Sequence, residues 1–402
     1  MADPFERYGL KRIVNVSGTE TIRGAAPASA EVIEAVSALV PHSVEMAELQ
    51  SVASEIIAEA YGTEAGCVTG CSAAGIAVAI AACMTGRDLA RVEQLPDTTG
   101  MKDGVVLQRG HNVTWGGHVL QTIEITGARV VEIGAATECG AYQLRHALGA
   151  QTAAALYVVS HHTVQTGLLD LETFCRVCHE VGVPVIVDGA AEPNFRDFVA
   201  AGADLVITSA HKVFASLTAG VIAGGKELVQ ACIWQEKGIG RPMKLGKEGV
   251  IGAIAGIERW LALDREKLSR DLDMRLERAR DQLRGLDGVS VSLEDDWTSR
   301  AFRRVRLDID PARAGMSAYQ LARRLAAGRP AITVRGLYAD QGFLQLDLRR
   351  ADDATVDLVC ERIVGALRQG AAEGPARPPS PSDAALAALE RWPLPVRPQR
   401  RV

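Results

Sequence analysis

The chain has 402 residues, 48% of them hydrophobic and 23% charged, with a formal net charge of -5. That length suits two domains, or one large domain with an appendage, in an ordinary globular composition. The acidic balance excludes an electrostatic footprint for nucleic acid, the only basic run being at 397–401, and residues 1–20 lack a charged-then-apolar leader, so a cytoplasmic protein is expected.

In chain order, residues 1–45 read as an N-terminal arm contributing to the site. Within it, "VNVSGTETIRGAAPAS" is rich in Gly, Ser and Thr and reads as ordered loop. Helical patterns follow at 29–39 and 45–61. The nearly charge-free stretch "CVTGCSAAGIAVAIAACMTG" (67–86) approaches the length that spans a bilayer. Its bulk is Ala and Gly without aromatic belt or basic flank, which predicts a buried helix and no membrane contact.

From 66 to 225, Val/Ile-rich strands at 104–108, 128–134, 154–160, 183–190, 203–210 and 219–225 alternate with helices at 115–126, 140–149 and 171–182. This pattern predicts a largely parallel sheet covered on both faces. "CRVCH" (175–179) formally matches a haem-attachment motif. It sits in an amphipathic segment of a chain without an export signal, so haem is not expected. The eight cysteines lack zinc-site spacing, and His161-His162 has no acid or thiol cluster beside it, so no metal is expected.

After 248 a long helical connection, broken at most once, leads to a β-β-α-β-β-α pattern over 289–370, a small α/β domain of the split βαβ kind. The division read from this is an arm at 1–45, a large domain at 46–265, a small domain at 266–370, and a Pro-rich linker and tail at 371–402.

Chemistry collects at the carboxyl ends of strands in an open parallel sheet. "SAHKVFAS" (209–216) sets Lys212 between two segments that read as buried strands, where an unpaired ammonium costs on the order of several kcal/mol. Asp188 ends the strand one strand–helix–strand step earlier, and Ser160 ends another. Lysine forms Schiff bases with carbonyls once desolvated. Pyridoxal phosphate is the carbonyl cofactor set by a lysine imine on one side and an acid at the ring nitrogen on the other. Asp188 is the candidate acid. "TGCSAAG" (69–75) is the candidate phosphate loop: Gly70 and Cys71 turn, and the Ser72 hydroxyl with the amides of 72–74 face the anion. Ser209 offers a second hydroxyl, and His111, in "QRGHNVTW", a ring to stack on the cofactor face. Each feature alone has an ordinary structural reading; their joint order carries the assignment.

These residues resemble the fold-type I pyridoxal-phosphate enzymes of the selenocysteine synthase-like group, in particular the D-glucosaminate-6-phosphate ammonia-lyase branch. The carrying segments are "VNVSGTETIRGA", "MAELQ", "TEAGCVTGCSAAGIAVAIAACMTG", "VPVIVDGAAE", "SAHK" and "IGRPMKLGKEGVIG". The resemblance implies an α/β fold: a large domain with a mostly parallel seven-stranded sheet between helices, and a small α+β C-terminal domain. It also implies Lys212 as the Schiff-base lysine, Asp188 at the ring nitrogen and Ser72 with its loop at the phosphate. Ser160, Ala190 and His211 complete the expected cofactor shell. Arg241, Lys244 and Lys247 are expected at the mouth of the site near a neighbouring subunit, in a homodimer or higher homo-oligomer with shared sites.

Two departures stand out. Selenocysteine synthase carries an N-terminal tRNA-binding region, whereas this chain starts almost at the core motif and is acidic, so tRNA is not an expected partner. Cys71 stands where a smaller or hydroxylic residue is expected. In the expected mechanism the substrate amine displaces Lys212, which takes the α-proton as general base. Loss of a β-hydroxyl then gives an aminoacrylate that hydrolyses to a 2-oxo acid and ammonia. Arg23, Arg335 and Arg349 are candidates for the substrate carboxylate, and Arg241, Lys244 and Lys247 for a phosphorylated substrate. The expected function is therefore a pyridoxal-phosphate-dependent lyase acting on a β-hydroxy or sugar-derived amino acid. A racemase or epimerase, a β-replacement transferase and a non-catalytic cofactor-binding regulator are the alternatives.

Overall fold

The computed structural model describes residues 3–296, 298, 302–370 and 377–393. The basic run 397–401 and the linker residues 371–376 lie outside the described residues. In chain order the strands are β1 (Ile13–Val16), β2 (Ala65–Thr69), β3 (Gly104–Gln108), β4 (Arg129–Ile133), β5 (Thr152–Val158) and β6 (Val185–Asp188). They continue with β7 (Leu205–Ser209), β8 (Gly220–Gly224), β9 (Val289–Asp295), β10 (Arg303–Ile309), β11 (Ala331–Val334) and β12 (Phe343–Leu346). The chain divides into two compact units: residues 24–263 with 297–299 form a large one, and 1–23, 264–296 and 300–402 a small one.

In the large unit seven strands form one sheet in the order β2-β8-β7-β6-β5-β3-β4. From β7 through β4 the neighbours are parallel, while β8 runs antiparallel to both β7 and β2. Continuous apolar runs make this possible, because a sheet covered on both faces leaves no side of a strand for water. Val106, Val187, Val206 and Val221 face one side with Phe174, Phe195 and Trp260. Val105, Leu107, Ile186, Ile207 and Ile222 face the other with Ile76, Ala79 and Ile80. Those last three lie on the helix Ser72–Thr85, whose Ala-rich composition lets it be buried nearly all round. The charge-free stretch 67–86 is thus strand, turn and buried helix, and among the described residues no helix is long and apolar enough to cross a membrane.

The "CRVCH" segment ends the helix Leu171–His179, with Cys175 and Cys178 in the core and His179 Nε2 2.8 Å from Asp204 Oδ2. All eight cysteines are free thiols. The helix expected at 115–126 is shorter, Val119–Glu124. Gly116 and Gly117 disfavour helix there, and Thr114 bridges to His118 instead.

The small unit's strands fall into two sheets. β9, β10 and β12 form an antiparallel sheet in the order β12-β10-β9, while β11 pairs in parallel with β1. The segment expected as N-terminal loop is therefore partly strand, with Asn15 opposite Thr333 and their side chains hydrogen bonded at 3.2 Å. The long helical connection breaks once, into Lys247–Leu261 and Arg265–Leu283, where Asp264 caps the second helix through its bond from Lys267 N. Leu272, Leu276, Val305, Leu307, Leu321, Leu344 and Ile363 fill this unit's core.

Candidate active site

The large unit's site is built at the end of the sheet where β2 and β7 stop. Cys71 is the N-cap of the helix Ser72–Thr85, and its Sγ accepts a hydrogen bond from Ala74 N at 3.4 Å. The expectation that amides 72–74 all face an anion is corrected by this: the cap takes the amide of 74, leaving those of 72 and 73 in the first turn. Thr69, Gly220 and Ser209 lie in one row across β2, β8 and β7. A Cβ on Gly220 would collide with Cys71 O and come within 2.9 Å of Ser72 N, so only glycine lets the loop settle on the sheet. The Ser209 hydroxyl is buried there without a hydrogen-bond partner among the described residues, as are both ring nitrogens of His211. Each such group costs about 1–3 kcal/mol. With the helix terminus they make a donor set suited to a phosphate, which is the test the cofactor has to pass here.

Asp188 ends β6, 4% exposed, in register with Val158 on one neighbour and Ile207 on the other. Burial raises its carboxyl to about 6; Lys212 and a 3.2 Å bond from Ala190 N act the other way without overcoming it. Lys212 is half-buried on the short helix Ala210–Val213 that follows β7. A carboxylate so raised is stabilised by an added cation, as a protonated ring nitrogen would be.

His111 is 3% exposed. Its Nδ1 accepts from Val158 N at 3.2 Å, and its ring meets Tyr157 edge-on at 4.4 Å. Burial lowers its pKa to about 4, so the ring is neutral near pH 7 with its proton on Nε2. Ala190 O accepts from Ser209 N at 3.0 Å, tying the segment after Asp188 to β7. Ser160 lies two residues past Val158, the strand neighbour of Asp188, and its hydroxyl accepts from His162 N at 3.2 Å in a local turn.

The strap at 241–247 meets the loop through Gly70 N, which donates to Met243 O at 3.2 Å. Arg241 and Lys244 on this strap are exposed, whereas Lys247 Nζ donates to His42 O. Two non-glycine residues with positive φ, Ala25 (57°) and Ala215 (53°), are held by bonds from Ala26 N to His211 O (3.2 Å) and from Ser29 N to Ala215 O (2.9 Å). Backbone strain of this kind persists where surrounding contacts over-determine it. Sequence reasoning missed Glu192, a buried carboxylate after Asp188 that accepts from Thr298 Oγ1 at 3.0 Å.

The remaining candidates lie in the small unit. Arg23 is exposed on a short 3-10 turn. Arg349 is paired in two-pronged fashion with Asp347, Nε–Oδ1 3.0 Å and Nη2–Oδ2 2.7 Å. Arg335 is 9% exposed and makes no ion pair among the described residues. Arg304, which the sequence did not single out, is buried between Asp296 and Asp347.

Residues 13–284 match the family described as L-seryl-tRNA selenium transferase. The chain belongs to that family. It is 35% identical over 359 residues to the D-glucosaminate-6-phosphate ammonia lyase of Salmonella typhimurium, covering 89% of this chain and 96% of the relative. A solved D-glucosaminate-6-phosphate ammonia-lyase superposes with a TM-score of 0.81 at 34% identity, over 92% of this chain and all of that one. A Streptomyces 5'-C-glycyluridine monooxygenase-decarboxylase is 36% identical over 361 residues, 89% of this chain and 90% of its own. The architecture is that of the fold-type I pyridoxal-phosphate enzymes, as the sequence predicted.

Proposed function

We propose that this family member is a pyridoxal-phosphate-dependent ammonia-lyase that removes the amine and a β-hydroxyl from a phosphorylated, sugar-derived amino acid. The observation that carries the cofactor is the set of unpartnered buried donors, Ser209 and His211, beside the helix terminus at Ser72, with Asp188 and Lys212 on neighbouring strand ends. Similarity to the ammonia-lyase over nearly its whole length supports the reaction. When bound, the cofactor supplies the carbonyl that condenses with an amine and a ring that accepts electrons from the α-carbon.

The chain's own residues do the rest. Ser72, the amides of 72 and 73, Ser209 and His211 hold the phosphate, with Gly70 and Cys71 shaping the loop and Ala190 the opposite wall. Asp188 would hold a proton at the ring nitrogen, and His111 would pack against the ring as a neutral imidazole. Lys212 would be the residue that holds the cofactor covalently, and its free amine would accept the substrate's α-proton at Nζ. Overall the substrate gives a 2-oxo acid and ammonia, the water lost from the β-carbon being returned in hydrolysis. Arg241 and Lys244 are the cations for the substrate phosphate, and Arg23, Arg335 and Arg349 those for its carboxylate. The protein acts in the cytoplasm as a homodimer or larger homo-oligomer.

The test is D-glucosaminate 6-phosphate supplied to the loaded enzyme, with 2-oxo acid, ammonia and oxygen followed together. Equal release of 2-oxo acid and ammonia without oxygen uptake is the expected result. A second reading rests on the equally similar monooxygenase-decarboxylase. Oxygen consumption with carbon dioxide release would favour it and set the lyase aside.

A further inference from the structure

Loss of a β-hydroxyl needs an acid that Lys212, Asp188 and His111 do not supply. Hydroxide leaves carbon poorly, its conjugate acid water having a pKa of about 15.7. It departs readily once a positioned side chain delivers a proton to its oxygen. Lys212 is engaged with the α-proton and Asp188 with the ring nitrogen. His111 is a buried neutral imidazole whose Nδ1 is taken by Val158 N.

The turn after β5 carries two further imidazoles, His161 and His162. β5 lies between β3, which leads to His111, and β6, which ends in Asp188. Backbone bonds fix the turn to both neighbours: Val159 N donates to Asp188 O at 2.8 Å, and Val164 N to Gly110 O at 3.1 Å. Gly110 permits that approach, because a Cβ there would meet Ala136 O at 2.5 Å and Leu168 Cδ1 at 2.6 Å. Between the anchors, Thr163 Oγ1 donates to Ser160 O at 2.7 Å and Gln165 Nε2 to the same oxygen at 3.0 Å. The two histidines are thus held at the carboxyl end of the sheet, where an open parallel sheet gathers its chemistry. Their ring centroids are 3.9 Å apart with the planes at 41°. His161 is half-buried and His162 exposed. Two imidazolium charges at that spacing repel, so the pair carries one proton in preference to two.

We propose that His161 is the proton donor to the departing β-hydroxyl and that His162 is the relay that recharges it from solvent. The assignment rests on the lyase reading and names the acid which that reading requires. As Lys212 Nζ takes the α-proton, the C–H electron pair becomes the α–β double bond. The β-carbon–oxygen bond breaks with its pair on oxygen, and the proton from His161 completes a water molecule. His161, left neutral, regains a proton from His162, which takes one from solvent.

The experiment compares two leaving groups on the cofactor-loaded enzyme. D-Glucosaminate 6-phosphate has to expel hydroxyl, whereas its 3-chloro-3-deoxy analogue expels chloride, which needs no proton. His161→Gln keeps a hydrogen-bonding side chain that cannot deliver a proton. It is expected to slow 2-oxo acid release from the hydroxyl compound by about a hundredfold or more, and from the chloro compound by less than about threefold. His162→Gln should show the same selectivity at about tenfold. A readout independent of turnover is calorimetric titration of D-glucosaminate 6-phosphate into Lys212→Ala, where adding His161→Gln should change Kd by less than about threefold.

Equal losses on both leaving groups, undiminished turnover of the hydroxyl compound, or Kd weakened by about tenfold or more would each overturn the proposal, the last by making His161 a binding residue. A parent enzyme that releases 2-oxo acid from neither compound fails the lyase reading instead.

Discussion

Asp188 in the large unit and Asp347 in the small one are equally hidden from water, 4% and 5% exposed, and titrate in opposite directions. At Asp188 burial outweighs Lys212 and one backbone amide, and the carboxyl rises to about 6. At Asp347 burial is outweighed by Arg349, with Arg304 behind it, and the carboxyl is held well below the usual range. The difference is the number of cations already present. Asp347 sits among paired guanidiniums, whereas Asp188 has one lysine and one backbone amide to set against its burial. Cost in the resting fold is therefore a better guide to function here than burial or charge alone.

The comparison breaks most visibly if Lys212, the cation nearest Asp188, is removed. Lys212→Ala is expected to lower 2-oxo acid release by about a thousandfold or more while the fold survives, as followed by coupled assay and circular dichroism. Next in size is Asp347→Asn, which takes from Arg349 its two-pronged acid and leaves Arg304 with Asp296. It should cost about 3–5 kcal/mol of unfolding free energy in urea titration.

Asp188→Asn should do the reverse in the cofactor-free protein. Because the folded carboxyl titrates near 6 and the unfolded one near 3.8, the native state holds the extra proton between those values. Stability therefore falls as pH rises through that window, by up to about 3 kcal/mol. The asparagine variant should lose that slope and melt higher at pH 7, yet bind the cofactor about a hundredfold more weakly in equilibrium dialysis.

His111 gives the opposite slope, and its substitution carries the smallest expected cost near pH 7. With its folded value near 4 against 6.5, the unfolded state holds the extra proton, and stability is lost as pH falls from about 6.5 toward 4. His111→Phe should remove that slope while costing about 1 kcal/mol for the bond from Val158 N. Melting curves of the two variants between pH 4 and 6.5 thus separate the contributions of the two residues.

Much of the large unit was legible because its signals are local. Short apolar runs between helical segments dictate the parallel sheet, and one strand–helix–strand step sets Asp188 and Lys212 on neighbouring strands whatever the loops do. What escaped was non-local. The pairing of β1 with β11 joins residues 318 apart, as the Asn15–Thr333 bond shows, and no periodicity in either segment announces its partner. Arg304 reads as one of three arginines in an alternating strand, and only folding reveals that it shares Asp347 with Arg349. Glu192 was equally silent, a buried acid four residues past Asp188 that accepts from Thr298 across 106 positions of sequence. At Cys71 the residue type was noticed but not its consequence, since a thiol capping Ala74 N follows from helix geometry rather than composition.

The most direct test of the central claim is borohydride reduction of the cofactor-loaded protein followed by peptide mass spectrometry. The account predicts a single phosphopyridoxyl group on the peptide carrying Lys212, with its yield sharply reduced in Asp188→Asn. A label on another lysine, or a protein that takes up no cofactor, would contradict it.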